Sequence, residues 1–448
     1  MNAKWEWRRS VASLLILLCL VTIPWLLHPS ETEASGSSLQ AIIDHGDPGA
    51  TIVVPPGSYN GPVRIAKTIS LIADQDGTVT VTNDSEEPAV TITADDVTID
   101  GITIQDESVK EAPSVLVEGD RVHLKELSIA TGSDGIQLRG TQDGIVESSS
   151  ITWGASERTK MFNRGNGIDL YEAHAAVVQG NHITSMYDGI YMENSDETLV
   201  TGNEIRQSRY GVHCMYTKGT IVQDNVGTKN ITGAMIMSVQ DVIVERNVFA
   251  KQNENVNSQG ILLYDAHHSI VRSNIAEGNR VGLYVEQSTN NTIEKNEMRG
   301  NFTGLQLLSS EENIVRHNSF IGNVHAAGAR SSSGNELRGN YWDSFQGLDA
   351  TGDGSSDIGY AINPFFEKLV KKKPVFQLFF QSPGMVFLEG LYQSQRSDWA
   401  TDEAPLISQP TSDGRPQTAG SDWITGLIGG GLLLGAGTLL FAMRRRDR

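Results

Sequence analysis

The sequence predicts an all-β chain folded as a right-handed parallel β-helix of coils about 22 residues long, and three observations predict it. First, the segments "GIDLYEA", "GIYMENS", "GVHCMYT", "GAMIMSV", "GILLYDA", "GLYVEQS" and "GLQLLSS" open on Gly167, Gly189, Gly211, Gly233, Gly260, Gly282 and Gly304, a spacing of 22 residues with one step of 27. Second, an asparagine follows each glycine by 14 residues: Asn181, Asn203, Asn225, Asn247, Asn274, Asn296 and Asn318, with Asn340 continuing the series. Third, apolar and polar residues alternate with period two inside each repeat, as in "GNHITSMYDGIYMENS", which is strand patterning with no helical period.

Short strands ended by Gly or Asn turns and returning at a fixed interval stack coil upon coil. The crossover rule favours the right-handed form. Asparagine suits the inward turn because it tolerates left-handed backbone angles and can bond its own backbone. Stacked on its neighbours, it would form a structural ladder along the solenoid.

In chain order, residues 1–34 read as a signal peptide: Lys4, Arg8 and Arg9, then an apolar run, then small Ala34 at a cleavage point. Cys19 lies in that run and leaves with it, so Cys214 has no disulfide partner. Residues 35–345 are the β-helix, whose amphipathic start "SLQAIIDHG" would cap the first open edge. "KQNENVNSQ" (251–259) bulges from the wall as a loop. Residues 346–410 form an acidic loop and cover segment, and 411–422 a polar linker. Residues 423–443 are apolar and long enough to cross a bilayer, and the basic tail 444–448 would stay in the cytoplasm. The body would then sit on the outer face of the cell membrane; a Gly-rich sorting tail, later removed, is the competing reading. A formal net charge of -19 excludes nucleic acid as a partner, because phosphate binding needs clustered Lys and Arg.

Alternation sorts the side chains of "RYGVHCMYTKG". Positions one and three after each glycine are apolar and point into the core, which places Cys214 beside Val212, with Met192 and Ile236 on adjoining coils. Positions two and four point out, so His213, Met215, Met235 and Met237 form a two-by-two outer cluster flanked by Tyr171, Tyr191 and Tyr264. Thioether and imidazole ligands suit Cu(I). A Met/aromatic docking surface for protein explains the same residues, as does a patch covered by a loop. Asp134 and Asp188 precede repeat glycines, and Asp169 and Glu193 face outward; sugar chemistry would need such acids to converge. Turn capping and solvated faces explain them otherwise. "YDAHH" (264–268) is similar to the Asp-Pro-His-Asp of alginate epimerases but lacks the proline and second aspartate; His267 and His268 are assigned no role. Asp349, Thr351, Asp353 and Asp357 follow an EF-type spacing for structural calcium, although Tyr360 stands where the bidentate acid belongs. An Asx-rich turn is the alternative.

The repeats followed by "GNYW", "YAINP" and "FFQSP…DEAPLISQP", together with "RYGVHCMYT", resemble the NosD family over about residues 40 to 410. The resemblance implies a non-catalytic accessory protein for the copper-sulfide site of nitrous oxide reductase. It implies an ABC ATPase and permease, the reductase and a copper chaperone as partners, with no required cofactor and copper only in transient contact. Copper and sulfur both remain open as the cargo. The C-terminal span departs from the soluble periplasmic members. The competing function is a carbohydrate-binding or carbohydrate-active lyase, hydrolase or epimerase at the cell surface.

Overall fold

A computed structural model of the chain describes residues 38–252, 258–379, 382–392 and 399–410. The expected signal peptide 1–34, linker 411–422, membrane span 423–443 and basic tail 444–448 lie outside the described residues. Among the described residues, no helix is long and apolar enough to cross a membrane.

Three walls of 15, 13 and 12 strands among the described residues wind as a β-solenoid, all parallel but for the antiparallel pair Tyr360–Ala361 and Thr401–Asp402 at one edge of the first. Each coil lends one short strand to each wall. On the 12-stranded third wall the inward register runs Ile168, Ile190, Val212, Ala234, Ile261, Leu283 and Leu305, and beside it Leu170, Met192, Cys214, Ile236, Leu263, Val285 and Leu307. All of these side chains are buried. A fully buried aliphatic side chain contributes about 2 kcal/mol, so the core grows additively with each coil.

The repeat glycines mark a close approach. A Cβ on Gly211 would lie 2.5 Å from the Gly233 carbonyl oxygen, and one on Gly189 would lie 2.3 Å from Ile205 Cγ2. The third-wall pairing steps over these glycines: Asp188 pairs with Tyr210, then Ile190 with Val212. This break lets the residue before the glycine turn outward as well.

The eight asparagines are buried and stack. Asn203 Oδ1 accepts from Asn181 N at 2.9 Å and from Asn181 Nδ2 at 3.0 Å, and the pattern repeats to Asn340. Each Nδ2 also donates to a carbonyl of an adjoining coil, as Asn225 does to Val200 at 3.0 Å. The expected left-handed asparagine is corrected: the left-handed residue is the one before it, such as Gly202 (φ 66) before Asn203 or Asp224 (φ 56) before Asn225. The turn is made one residue early, which leaves the asparagine extended and aimed inward at the next coil. Its bonds reach mainly to neighbouring coils, although Asn203 Nδ2 also donates to Thr201 O of its own turn at 3.2 Å. A second ladder, Asn230, Gln252, Asn279, Asn301 and Asn323, runs parallel to the first. The 27-residue step leaves both ladders in register, since Asn247 N still reaches Asn274 Oδ1 at 3.0 Å.

Both ends are covered. Helix α1 (Leu39–His45), capped by Ser38, buries Leu39 and Ile43 on the first coil. At the other end Asp402 receives the ladder: its Oδ2 accepts from Asn340 N and Nδ2, both at 2.9 Å, and from Trp342 Nε1 at 3.0 Å. Between these residues lie helix α2 (Phe365–Lys372), a 3-10 turn (Pro374–Phe379) and helix α3 (Pro383–Leu391).

Candidate functional site

The outer face of the third wall carries the chemistry. Register places His213 opposite Met235 and Met215 opposite Met237, with Tyr191 on the other side of His213. The two-by-two arrangement expected from alternation is therefore present in the backbone.

Its exposure is not as expected. His213 is only 6% exposed and Met235 8%, while Met215 and Met237 are half-buried. The rings of Tyr191 and Tyr210 close edge-on over the imidazole, with centroids 5.0 and 4.9 Å from it. Outward direction does not guarantee solvent here, because bulky side chains on adjacent coils roof one another. Tyr171 is the exposed flank, and Tyr264 is half-buried.

Beneath that roof lies a group that the sequence did not assemble. The Asp188 carboxylate is buried and accepts three side-chain bonds: Arg209 Nε at 2.8 Å, an Arg209 terminal nitrogen at 2.6 Å and His213 Nδ1 at 2.9 Å. Burial pushes its pKa up, but the Arg209 and His213 bonds outweigh this and hold Asp188 below the usual carboxylate range. Arg209 is sandwiched in turn, its guanidinium carbon 3.8 Å from the Tyr187 ring centroid and 4.3 Å from that of Tyr210. With a carboxylate accepting at Nδ1, that nitrogen is the one that donates, and in a neutral imidazole Nε2 would carry the lone pair. His213 Nε2 is buried without a hydrogen-bond partner among the described residues. A carboxylate that fixes an imidazole with its second nitrogen open is how proteins orient both metal-ligating and proton-accepting histidines. Subtracting one 22-residue coil puts Asp188 opposite Tyr210 and Tyr191 opposite His213, so the repeat spacing alone does not bring the carboxylate to the imidazole.

One coil further toward the N-terminus, Asp134 and Asp169 share a second polar cluster. Asn166 Nδ2 donates to Asp169 Oδ2 at 2.7 Å, Arg139 pairs with Asp169 at 2.5 Å, and Asn166 N donates to Asp134 at 2.5 Å. Burial and the neighbouring Asp169 charge raise the Asp134 pKa. Tyr191 donates to Glu193 at 2.6 Å. Asp169 is buried, Asp134 and Glu193 are half-buried, and Asp134 also holds a backbone N–H of the next coil.

The remaining sequence candidates lie elsewhere. Cys214 is fully buried between Met192 and Ile236, and burial pushes its thiol well above the ordinary range. In the 349–357 segment the acids serve their own backbone. Asp349 accepts from the backbone nitrogens of Gly354 at 2.9 Å and Gly352 at 2.6 Å, and from the Thr351 hydroxyl at 3.4 Å. Asp353 accepts from Ser355 N at 2.8 Å, and Asp357 from Ala350 N at 2.7 Å. Among the described residues, no three His, Cys, Asp or Glu side chains converge where they could hold a metal ion. His267 bridges Asp265 and Thr289, at 3.0 and 2.9 Å, and His268 is exposed.

Residues 154–347, which include every coil of the Asp188–His213–methionine group, match the family described as periplasmic copper-binding protein (NosD). A probable ABC transporter binding protein NosD from Pseudomonas aeruginosa is 32% identical over 82 residues, 18% of this chain and 19% of that protein. Its namesake from Stutzerimonas stutzeri is 27% identical over 169 residues, 37% of this chain and 38% of that protein. The chain thus spans well under half the length of these curated relatives. Among solved structures, a PL6 alginate lyase in complex with a trisaccharide superposes with a TM-score of 0.54 at 14% identity, covering 67% of this chain and 81% of that one. A variant of the periplasmic alginate epimerase AlgG gives 0.52 at 14% identity, over 67% and 82%. At such identities the likeness is one of fold alone.

Proposed function

We propose that this chain, whose residues 154–347 carry the NosD resemblance, is an extracytoplasmic, non-enzymatic accessory protein that works beside an ABC ATPase and permease. Its task in this reading is maturation of the copper-sulfide site of nitrous oxide reductase, with the reductase and a copper chaperone as further partners. The apolar run 423–443 would tether it to the outer face of the membrane.

The observation that carries the reading is the buried, unpartnered Nε2 of His213, fixed by Asp188 and set in register with Met235. Imidazole nitrogen and thioether sulfur form a soft ligand set suited to Cu(I). The roof of Tyr191 and Tyr210 would exclude water and competing hard ions while cargo is in contact. Met215 and Met237, half-buried at the edge of the roof, would be the entry side.

The test is co-purification of the full chain with the ABC pair, followed by copper analysis of the reductase from cells lacking the chain. A reductase with a complete copper-sulfide site in those cells would overturn the maturation role.

A second reading has one observation in its favour. Asp134 and Asp169, with Arg139, place carboxyl groups of opposed environment on one outer face, as carbohydrate-active sites require. Release of unsaturated or epimerised product from uronate polymers, abolished by Asp134→Asn, would support it over the accessory role.

A further inference from the structure

The segment between Tyr360 and Thr401 stands apart from the site. Helices α2 and α3 each turn one large apolar side chain inward, Phe366 and Met385, both buried, and Phe366 packs at 5.7 Å from the His325 ring. Asn363 Nδ2 bonds the Glu389 carbonyl at 2.9 Å, tying the start of one helix to the end of the other. With those contacts made, six large apolar side chains remain outside: Val375, Leu378, Phe379, Phe387, Leu388 and Leu391. Leu378 is 81% exposed and Phe387 66%, the two highest values among the exposed large apolar side chains of the described residues.

Three exposed lysines border the patch, Lys368, Lys372 and Lys373, in a chain whose formal net charge is -19. Tyr392 lies at the edge, its hydroxyl accepting from Lys368 Nζ at 3.0 Å and its ring stacked on Trp399 at 6.1 Å. Exposed Phe and Leu, an amphipathic Tyr/Trp pair and flanking lysines are the composition of a segment that lies in the headgroup region of an anionic bilayer. The length of chain that follows agrees. Only 12 residues, 411–422, separate the last described residue from the apolar run 423–443. Fully extended, they reach roughly 42 Å, at about 3.5 Å per residue. This reach matters only with the membrane span proposed above for 423–443 in place.

We infer that the α2–α3 segment is a membrane-resting foot, which buries Leu378, Phe379, Phe387, Leu388 and Leu391 in the interface of an anionic bilayer while Lys368, Lys372 and Lys373 meet lipid headgroups. The foot holds the solenoid at a fixed height and tilt relative to the bilayer. It goes beyond the accessory function and does not depend on copper.

The experiment uses the full chain with Cys19→Ser, since Cys214 is fully buried, carrying a polarity-sensitive label at Phe387→Cys or, in turn, Leu378→Cys. Ser128→Cys, an exposed position on the second wall, is the control. With vesicles of phosphatidylcholine and phosphatidylglycerol doped with spin-labelled lipid, both foot labels should be quenched at least threefold more than the control. Replacing Lys368, Lys372 and Lys373 by Glu should remove most of that difference while the chain still floats with the vesicles. Equal quenching at foot and control would overturn the inference. So would a chain that does not associate with vesicles, or quenching that appears only once the permease is added, which would make the patch a protein contact.

Discussion

The Asp188 carboxylate and the His213 imidazole, 25 residues apart in sequence, meet at 2.9 Å on adjacent coils of the outer third wall. Because Arg209 takes the rest of the carboxylate at 2.6 and 2.8 Å, Asp188 is the hub on which the guanidinium and the imidazole both depend. Replacing it by alanine leaves a half-buried cation and an unanchored histidine. Urea denaturation of Asp188→Ala should show a loss of about 3 kcal/mol, within the range for breaking one side of a buried pair. Double-mutant cycles with Arg209→Ala should return less than the sum of the single losses.

The copper reading makes His213 and Cys214 behave oppositely, although they are neighbours. His213→Ala should weaken Cu(I) competition at least tenfold, and Met235→Ala should weaken it as well. Cys214→Ala should leave it unchanged, because the thiol is fully buried in the core. A thiol reagent should label Cys214 only on unfolding, since burial also holds its pKa high. Unchanged Cu(I) affinity in His213→Ala would sink the metal assignment without touching the docking reading.

Burial lowers the pKa of His325 to about 4, against 6.5 for the free group. The unfolded chain therefore binds a proton that the folded chain refuses between these pH values. Stability from this residue is fully present above about pH 6.5 and falls progressively as the pH drops toward 4, by about 3 kcal/mol in all. Urea midpoints recorded from pH 7 to 4 should show this slope, and His325→Leu should flatten it.

Asn225 sits mid-ladder. Its Oδ1 accepts from Asn203 N and Nδ2 at 2.9 Å, and its Nδ2 donates to Val200 O and Asn247 Oδ1 at 3.0 Å. Asn225→Ala strands buried donors and acceptors on both neighbouring coils and should cost about 3 kcal/mol. Asn225→Asp keeps the shape but loses the donor and should not rescue it.

The 349–357 segment supplies its own negative-charge partners through backbone N–H groups. A turn built this way needs no cation to stand, so calcium chelation should leave the unfolding temperature unchanged. Asp349→Ala should instead speed amide exchange at Gly352 and Gly354. A fall in unfolding temperature with chelator would restore the calcium reading.

Period and alternation carried most of the architecture. A 22-residue spacing of Gly and Asn can mean only coils in register, and alternation correctly buried Cys214 between Met192 and Ile236. Two things escaped. The left-handed position before each ladder asparagine is filled by Gly, Asp, Arg, Ser, Lys or His, so no residue type announces it. The Asp188–Arg209–His213 group escaped because strict alternation breaks at the glycines, where pairing skips a residue and the side chain before the glycine turns outward. Burial of His213 was hidden for a related reason: a roof depends on the size of side chains one coil away, which a single-strand pattern does not register.

The carboxylate of Asp402 bonds Asn340 across 62 residues of chain, whereas each step within the ladder spans 22 or 27. Coils can therefore form one at a time as the chain emerges, each templated by the last, since closing a short loop is favoured over closing a long one. The far end has no such sequential route. Until residue 402 is delivered, the final coil presents bare amide edges at which a second molecule could stack. The vulnerable interval of this protein's life is thus the synthesis of its last 60 or so body residues, and slowing it, rather than weakening any coil, is what would turn a solenoid into a fibre.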